Sequence, residues 1–329
     1  MCRSDFSCAA YVYRSAWNAE GGVPYIFCRK EKIMKNTIFT GAGIAIITPF
    51  NADGSINYDE LGRIIDDQIE KGTDAIIICG TTGESATMTD DEHRDCIKFA
   101  VKHVNGRVPV IAGAGSNDTR YAVELSKEAE SFGADALLHV TPYYNKATQK
   151  GLIAHFTAVA DAVNIPIILY NVPSRTGCGL EVDTVKELAK HKNIAAIKEA
   201  SGNISYVAKL AAACGDSIDI YSGNDDMVVP IMSLGGKGVI SVASHMIPKE
   251  MHDMVQLCLD NNFAEAQKIQ LEYLDLINDL FMEVNPIPVK EAMNMVGWNA
   301  GPCRLPLCEM TDDHKAKMKA CLTKHNLIK

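Results

Sequence analysis

The sequence predicts an α/β fold, a (β/α)8 TIM barrel with a C-terminal helical subdomain, and three observations carry that prediction. From Gly43 onward, short β-branched apolar runs alternate with amphipathic stretches, as expected when strands are buried on both faces between helices. Eight such runs occur, beginning near Gly43, Asp74, Val108, Ala134, Pro166, Ile194, Ile218 and Gly238, and eight parallel strands suffice to close a barrel. At 329 residues the chain suits one barrel of about 250 residues with an appendix or two ordinary domains, and the run pattern, not the length, chooses the barrel.

Residues 1–33 stand apart, with mixed aromatics and Cys2, Cys8 and Cys28 but no apolar core of the kind an export signal needs. Met34 directly precedes a strand-like pattern, so translation is expected to begin there and the preceding segment to be an extension without function. Residues 34–260 are assigned to the barrel. Its helix starts are marked: Asn57 precedes YDELGRIIDDQIE, Thr89 precedes DDEHRDCIKFA, and Asn117 and Asp118 precede TRYAVELSKEAE. Each places a side-chain acceptor where the first free N–H groups of a helix need one. Helical periodicity continues over 262–283, 287–296 and 311–324, which makes 261–329 the C-terminal subdomain.

Composition narrows the function. Hydrophobic residues make up 47% and charged residues 22%, the balance of a globular protein with a large core. With 32 basic against 41 acidic residues the formal net charge is -9, and no basic run offers a face for nucleic acid. An anionic substrate therefore has to be held by a few local donors against the global field. No stretch approaches the roughly 18 consecutive apolar residues of a membrane span. The 11 cysteines follow no framework spacing, and Cys79 sits in an apolar run, which reads as a reducing, cytoplasmic setting. Cys303, Cys308 and His314 fit no common zinc spacing, so no metal is expected.

In such barrels chemistry sits at the C-terminal strand ends. Strand two ends in Gly80-Thr81-Thr82-Gly83-Glu84, strand four in Thr141-Pro142-Tyr143-Tyr144-Asn145, strand five in Tyr170-Asn171 and strand seven in Ser222-Gly223-Asn224. Strand six carries Lys198 within IAAIKEAS, where apolar neighbours oppose its charge. An unperturbed lysine is neutral in only ~1 molecule in 2,500 at pH 7, so burial multiplies the nucleophile available for an imine. The bland alternative is a lysine paired with Glu199, but alternation along a strand sends these two side chains to opposite faces. Tyr170 could shuttle protons beside such an imine with Thr81 and Tyr144 as relay, although any one of these hydroxyls alone is more simply a wet cap on the core. The glycine-flanked turn 80–84 lets backbone N–H groups around Thr82 approach a carboxylate, or is a plain tight turn. Arg175, in NVPSRTG, matches a carboxylate with its planar fork, though surface arginines are common. LGGKGVIS looks like a phosphate loop, but it precedes strand eight and falls on the opposite face.

Together GTTGE at 80–84, TPYYN at 141–145, YNVPSRTG at 170–177 and IKEASGN at 197–203 resemble the dihydrodipicolinate synthase family of pyruvate-dependent class I aldolases, from about Phe39 to the C-terminus. The resemblance implies condensation of pyruvate with L-aspartate 4-semialdehyde to 4-hydroxy-tetrahydrodipicolinate, the committed step of the diaminopimelate route to lysine. It implies Lys198 as the Schiff-base residue, Tyr170 as proton donor and acceptor, and Thr81 with Tyr144 as the relay, Tyr144 reaching over from a neighbouring subunit. Thr82, Gly223 and backbone near Ile240 would bind substrate, and Arg175 would hold the semialdehyde carboxylate. A homotetramer built as a dimer of dimers is implied, with no cofactor beyond the covalent imine.

Some members of the family bind lysine in a cleft at the dimer interface, and Ser85, Ala86, His93, Asn117 and Tyr143 match that cleft. Asp90 and Tyr121 depart from it, replacing a histidine and a glutamate, so feedback inhibition is expected to be weak or absent. Two rival readings stay open at this point. One is a sister aldolase acting on N-acetylneuraminate or 2-keto-3-deoxy sugar acids, against which Arg175 argues. The other is a non-catalytic keto-acid-binding protein on the same scaffold, against which the intact Lys198, Tyr170, Thr81 and Tyr144 argue.

Overall fold

The computed structural model describes residues 37–328, so the expectations for residues 1–33 lie outside the described residues. Eight strands form as the apolar runs predict: β1 Gly41–Ala45, β2 Ala75–Ile78, β3 Val110–Gly113, β4 Ala136–Val140, β5 Ile167–Asn171, β6 Ile194–Glu199, β7 Asp219–Ser222 and β8 Gly238–Ser241. All neighbours pair in parallel, and β8 returns to β1 to close the barrel. At that seam a side chain on Gly238 would lie 2.0 Å from the Gly41 carbonyl oxygen, so only glycine lets the last strand meet the first.

Strand residues alternate between two separate apolar clusters, which defines the two faces. Ile77, Ile168, Tyr170, Ala196 and Tyr221 belong to the smaller cluster inside the barrel, while Ile76, Leu169 and Ile197 belong to the larger one under the helices. Phe39 and Tyr221 stack with ring centroids 4.4 Å apart, and the Tyr221 hydroxyl donates to the Phe39 carbonyl oxygen, closing the interior below the strand ends.

The marked helix starts hold. Asn57 accepts from the Glu60 N–H, Thr89 forms a reciprocal capping box with Glu92, and Asp118 accepts from the Arg120 N–H. The outer layer includes helices Asp90–Val104, Thr119–Phe132, Gln149–Ala162 and Pro248–Leu259. In the C-terminal subdomain the expected helix over 262–283 is two shorter ones, Phe263–Glu272 and Leu274–Asp279, joined at Tyr273. Helices Ile287–Met295 and Asp312–Lys324 follow. The segment around LGGKG leads directly into the start of β8 at Gly238, away from the strand ends where the cavity lies. No helix among the described residues is long and apolar enough to cross a membrane.

Candidate active site

A cavity of about 290 Å³ opens at the C-terminal strand ends, and Thr81, Thr82, Tyr170, Arg175, Lys198 and Gly223 all line it. Six predicted site residues from strands two, five, six and seven thus converge, because parallel strands deliver their last residues to one end. Lys198 pairs with Tyr170 on one side and Tyr221 on the other, so its side chain shares the interior face with both. Glu199 points the other way, as alternation requires, yet it is buried: Asn171 Nδ2 donates to it at 2.7 Å and the Ser201 N–H at 2.6 Å.

Lys198 is 6% exposed, and its ammonium lies 4.5 Å from the centre of the Tyr170 ring. Burial pulls its pKa down to about 8; the Asp225 carboxylate resists that fall and the Arg175 charge adds to it. At that value about one molecule in ten carries a free amine at pH 7. Burial pushes the Tyr170 phenol up, while the Arg175 charge and a hydrogen bond with Thr81 hold it back. Thr82 is buried, and its Oγ1 accepts from Asn285 Nδ2 at 2.9 Å. A side chain on Gly223 would put its Cβ 3.1 Å from Lys198 Cε and 2.6 Å from Ala200 Cβ, so glycine leaves the lysine its room.

Two predicted residues stand outside this cavity. Ile240 is buried within the barrel interior, and Val242, further along the chain, forms the wall instead. Tyr144 is 90% exposed and lines no part of it within one chain. Of the cleft residues, His93 is buried with Nε2 donating to the Gly113 carbonyl oxygen at 2.8 Å, while Tyr143 is exposed. The departing pair meets: the Tyr121 hydroxyl donates to Asp90 Oδ1 at 2.8 Å.

Asp225 and Asn285 also line the cavity but were not singled out in the sequence, whereas Asn224 was read at the end of strand seven. Asp225 is buried, and its Oδ2 accepts from the Val242 and Ala243 N–H groups at 2.9 Å each. Its Oδ1, Asn224 Oδ1 and Asn285 Oδ1 are buried acceptors with no protein donor. The acidic pair that follows Asn224 could have drawn attention to Asp225. Nothing local marked Asn285, which arrives from the C-terminal subdomain. Among the described residues Cys303, Cys308 and His314 form no ligand cluster; the grouping that occurs is Asp275, Cys321 and His325. There Asp275 is already taken, with His325 Nε2 at 2.8 Å and Lys324 Nζ at 2.5 Å.

With this geometry in place, a family model described as the Dihydrodipicolinate synthetase family matches residues 38–325. The chain belongs to the dihydrodipicolinate synthetase family. Its relative from Acetivibrio thermocellus, a 4-hydroxy-tetrahydrodipicolinate synthase, is 57% identical over 295 residues, covering 90% of this chain and 100% of that one. Crystal structures in the same family superpose closely. The dihydrodipicolinate synthase from Aquifex aeolicus is 46% identical with a TM-score of 0.86, covering 88% of this chain and 99% of that chain. The chloride-inhibited enzyme from Acinetobacter baumannii, complexed with pyruvate, is 40% identical with a TM-score of 0.87, covering 89% of this chain and 100% of that chain.

Proposed function

We propose that this member of the family condenses pyruvate with L-aspartate 4-semialdehyde to give 4-hydroxy-tetrahydrodipicolinate. The observation that carries the proposal is Lys198, a buried amine with a lowered pKa on the inner face of the barrel beside Tyr170. The free amine adds to the pyruvate ketone, and loss of water leaves an iminium. Tyr170, connected to Thr81, moves the protons of that step and takes one from the methyl carbon to give an enamine. The enamine carbon attacks the semialdehyde aldehyde carbon, whose oxygen takes up a proton. The product's own amine then displaces Lys198 from the imine carbon, closing the ring and freeing the lysine.

Several groups fit this sequence. Asp225 offsets the positive charge of the iminium as it does that of the ammonium. Thr82 receives the pyruvate carboxylate and Arg175 the carboxylate of the second substrate. The donorless oxygens of Asn224, Asp225 and Asn285 suit a substrate that brings N–H and O–H groups, since buried acceptors without donors are costly. A homotetramer is proposed, in which a second copy covers the exposed pair Tyr143 and Tyr144 and brings Tyr144 to its neighbour's relay. The eight cysteines of the described residues are free thiols, in keeping with a cytoplasmic enzyme. The reaction needs no organic cofactor or metal, because the lysine supplies the electron sink.

Purified protein given both substrates is expected to consume them one for one, and inhibition by added lysine is expected to be weak or absent. The Tyr121 hydroxyl replaces the family's carboxylate there, and the carboxylate that Asp90 brings is engaged by Tyr121 and lies 3.9 Å from Arg94, which leaves the effector ammonium without a free partner. Cleavage of N-acetylneuraminate with no turnover of the semialdehyde contradicts the proposed substrate, and half-inhibition by sub-millimolar lysine contradicts the reading of the cleft.

A further inference from the structure

The turn 80–84 carries Thr81 and Thr82 into the cavity, and side chains from elsewhere in the chain tie it down. Thr48 Oγ1 donates to the Gly83 carbonyl oxygen at 2.8 Å. Asn285 Nδ2 donates to Thr82 Oγ1, which leaves that hydroxyl's own hydrogen for another acceptor. Glu84 is buried in the left-handed region at φ 54°, and both of its carboxylate oxygens are engaged. Oε1 accepts from Lys290 Nζ at 2.9 Å and Oε2 from the Arg304 backbone N–H at 2.9 Å.

Lys290 belongs to helix Ile287–Met295 of the C-terminal subdomain, just beyond Asn285. It spends its other two hydrogens on the Thr48 carbonyl oxygen at 3.1 Å and the Pro302 carbonyl oxygen at 2.7 Å. Its ammonium also lies 4.4 Å from the centre of the Phe50 ring. The side chains of Lys290 and Glu84 are 2% and 0% exposed.

A buried ion pair with every hydrogen bond satisfied contributes little net stability compared with an apolar pair of the same shape, so stability alone does not account for it. What the pair does provide is direction. Apolar contact tolerates sliding, whereas a carboxylate gripped from two sides fixes the turn relative to a rigid helix. Asn285 on Thr82 and Lys290 on Glu84 are two ties between the same pair of segments, one at the cavity wall and one behind it.

We propose that Lys290, acting through Glu84, is a positioning residue for the keto-acid site: it holds the turn 80–84 so that Thr82 and Thr81 face Lys198 and Tyr170. This rests on pyruvate as the first substrate. The helical subdomain is thereby part of the pyruvate site although Lys290 itself touches no substrate.

The test compares Glu84→Gln and the double variant Glu84→Gln, Lys290→Met with wild type. Glu84→Gln keeps the shape, and burial already biases Lys290 toward the neutral amine, so this variant is expected to fold. The double variant removes both charges together. Wild type trapped with borohydride and pyruvate comes first, and absence of label on Lys198 there dismisses the pyruvate reading itself. In folded variants, judged by circular dichroism and melting, the KM for pyruvate is expected to rise on the order of ten- to a hundredfold. The KM for the semialdehyde, held by Arg175, is expected to stay near wild type. Folded variants with an unchanged pyruvate KM, or with both KM values raised alike, overturn the proposal. So does loss of folding in both variants, which would make the pair a scaffold only.

Discussion

Lys198 owes its lowered pKa to an imbalance among its neighbours. Two interior tyrosines and the apolar barrel remove water, and of the charges acting on it Asp225 favours the ammonium while Arg175 opposes it. Asp225 is itself held by two backbone N–H groups, which divides its charge between them and the lysine. The result is an amine poised near neutral pH and not a closed salt bridge. Space around it matters as much as charge. In Gly223→Ala the new methyl meets Lys198 Cε at 3.1 Å and Ala200 Cβ at 2.6 Å, so lysine, strand end or both must shift. Such a shift near the reacting atom is expected to lower kcat/KM by about a hundredfold while the melting temperature changes little. Wild-type kinetics in this variant would mean that the lysine has slack.

The strands were legible because burial on both faces leaves continuous apolar runs, and alternation then placed Lys198 inside and Glu199 outside. The caps at Asn57, Thr89 and Asp118 were legible because short polar side chains satisfy the first free N–H groups locally. Asp225 and Asn285 were not, since their position is set by packing between the subdomain and the strand ends, and no local pattern encodes that. The split at Tyr273 was missed for a similar reason: neither glycine nor proline marks it. Buried histidines between the elements set the response to acid. His245 follows β8, receives the Ile47 N–H on Nε2 at 3.0 Å and donates from Nδ1 to the Val242 carbonyl oxygen at 2.8 Å, a tautomer inferred from these partners. Burial brings its pKa down to about 4, and that of His139 on β4 down to about 3, from 6.5. Below 6.5 the unfolded chain therefore binds protons that the folded one refuses, so stability is complete above that pH and falls as the pH drops toward 4. Denaturant midpoints are expected to decline across that window, each histidine contributing a slope of up to about 1.4 kcal/mol per pH unit. A flat profile contradicts the neutral burial of both rings.

Across the whole chain, a net charge of -9 opposes the pyruvate anion, and the barrel answers with a few donors at one mouth. Tyr144 marks what a single sequence read as one chain cannot place: its proposed partner surface belongs to another copy, so no contact within the chain encodes it. The helical subdomain is likewise more than a cover, since Asn285 and Lys290 reach the turn that carries Thr81 and Thr82. The proposed chemistry is a lysine imine, and among the described residues Lys198 is the lysine that lines the cavity. The most direct measurement is borohydride trapping of the intact protein with pyruvate across a range of pH, followed by peptide mapping. Label is expected on Lys198 alone, with an initial rate that climbs through an apparent pKa near about 8 as the ammonium gives up its proton. Label on another lysine, none at all, or a rate still rising toward the pKa of a solvated lysine would contradict it.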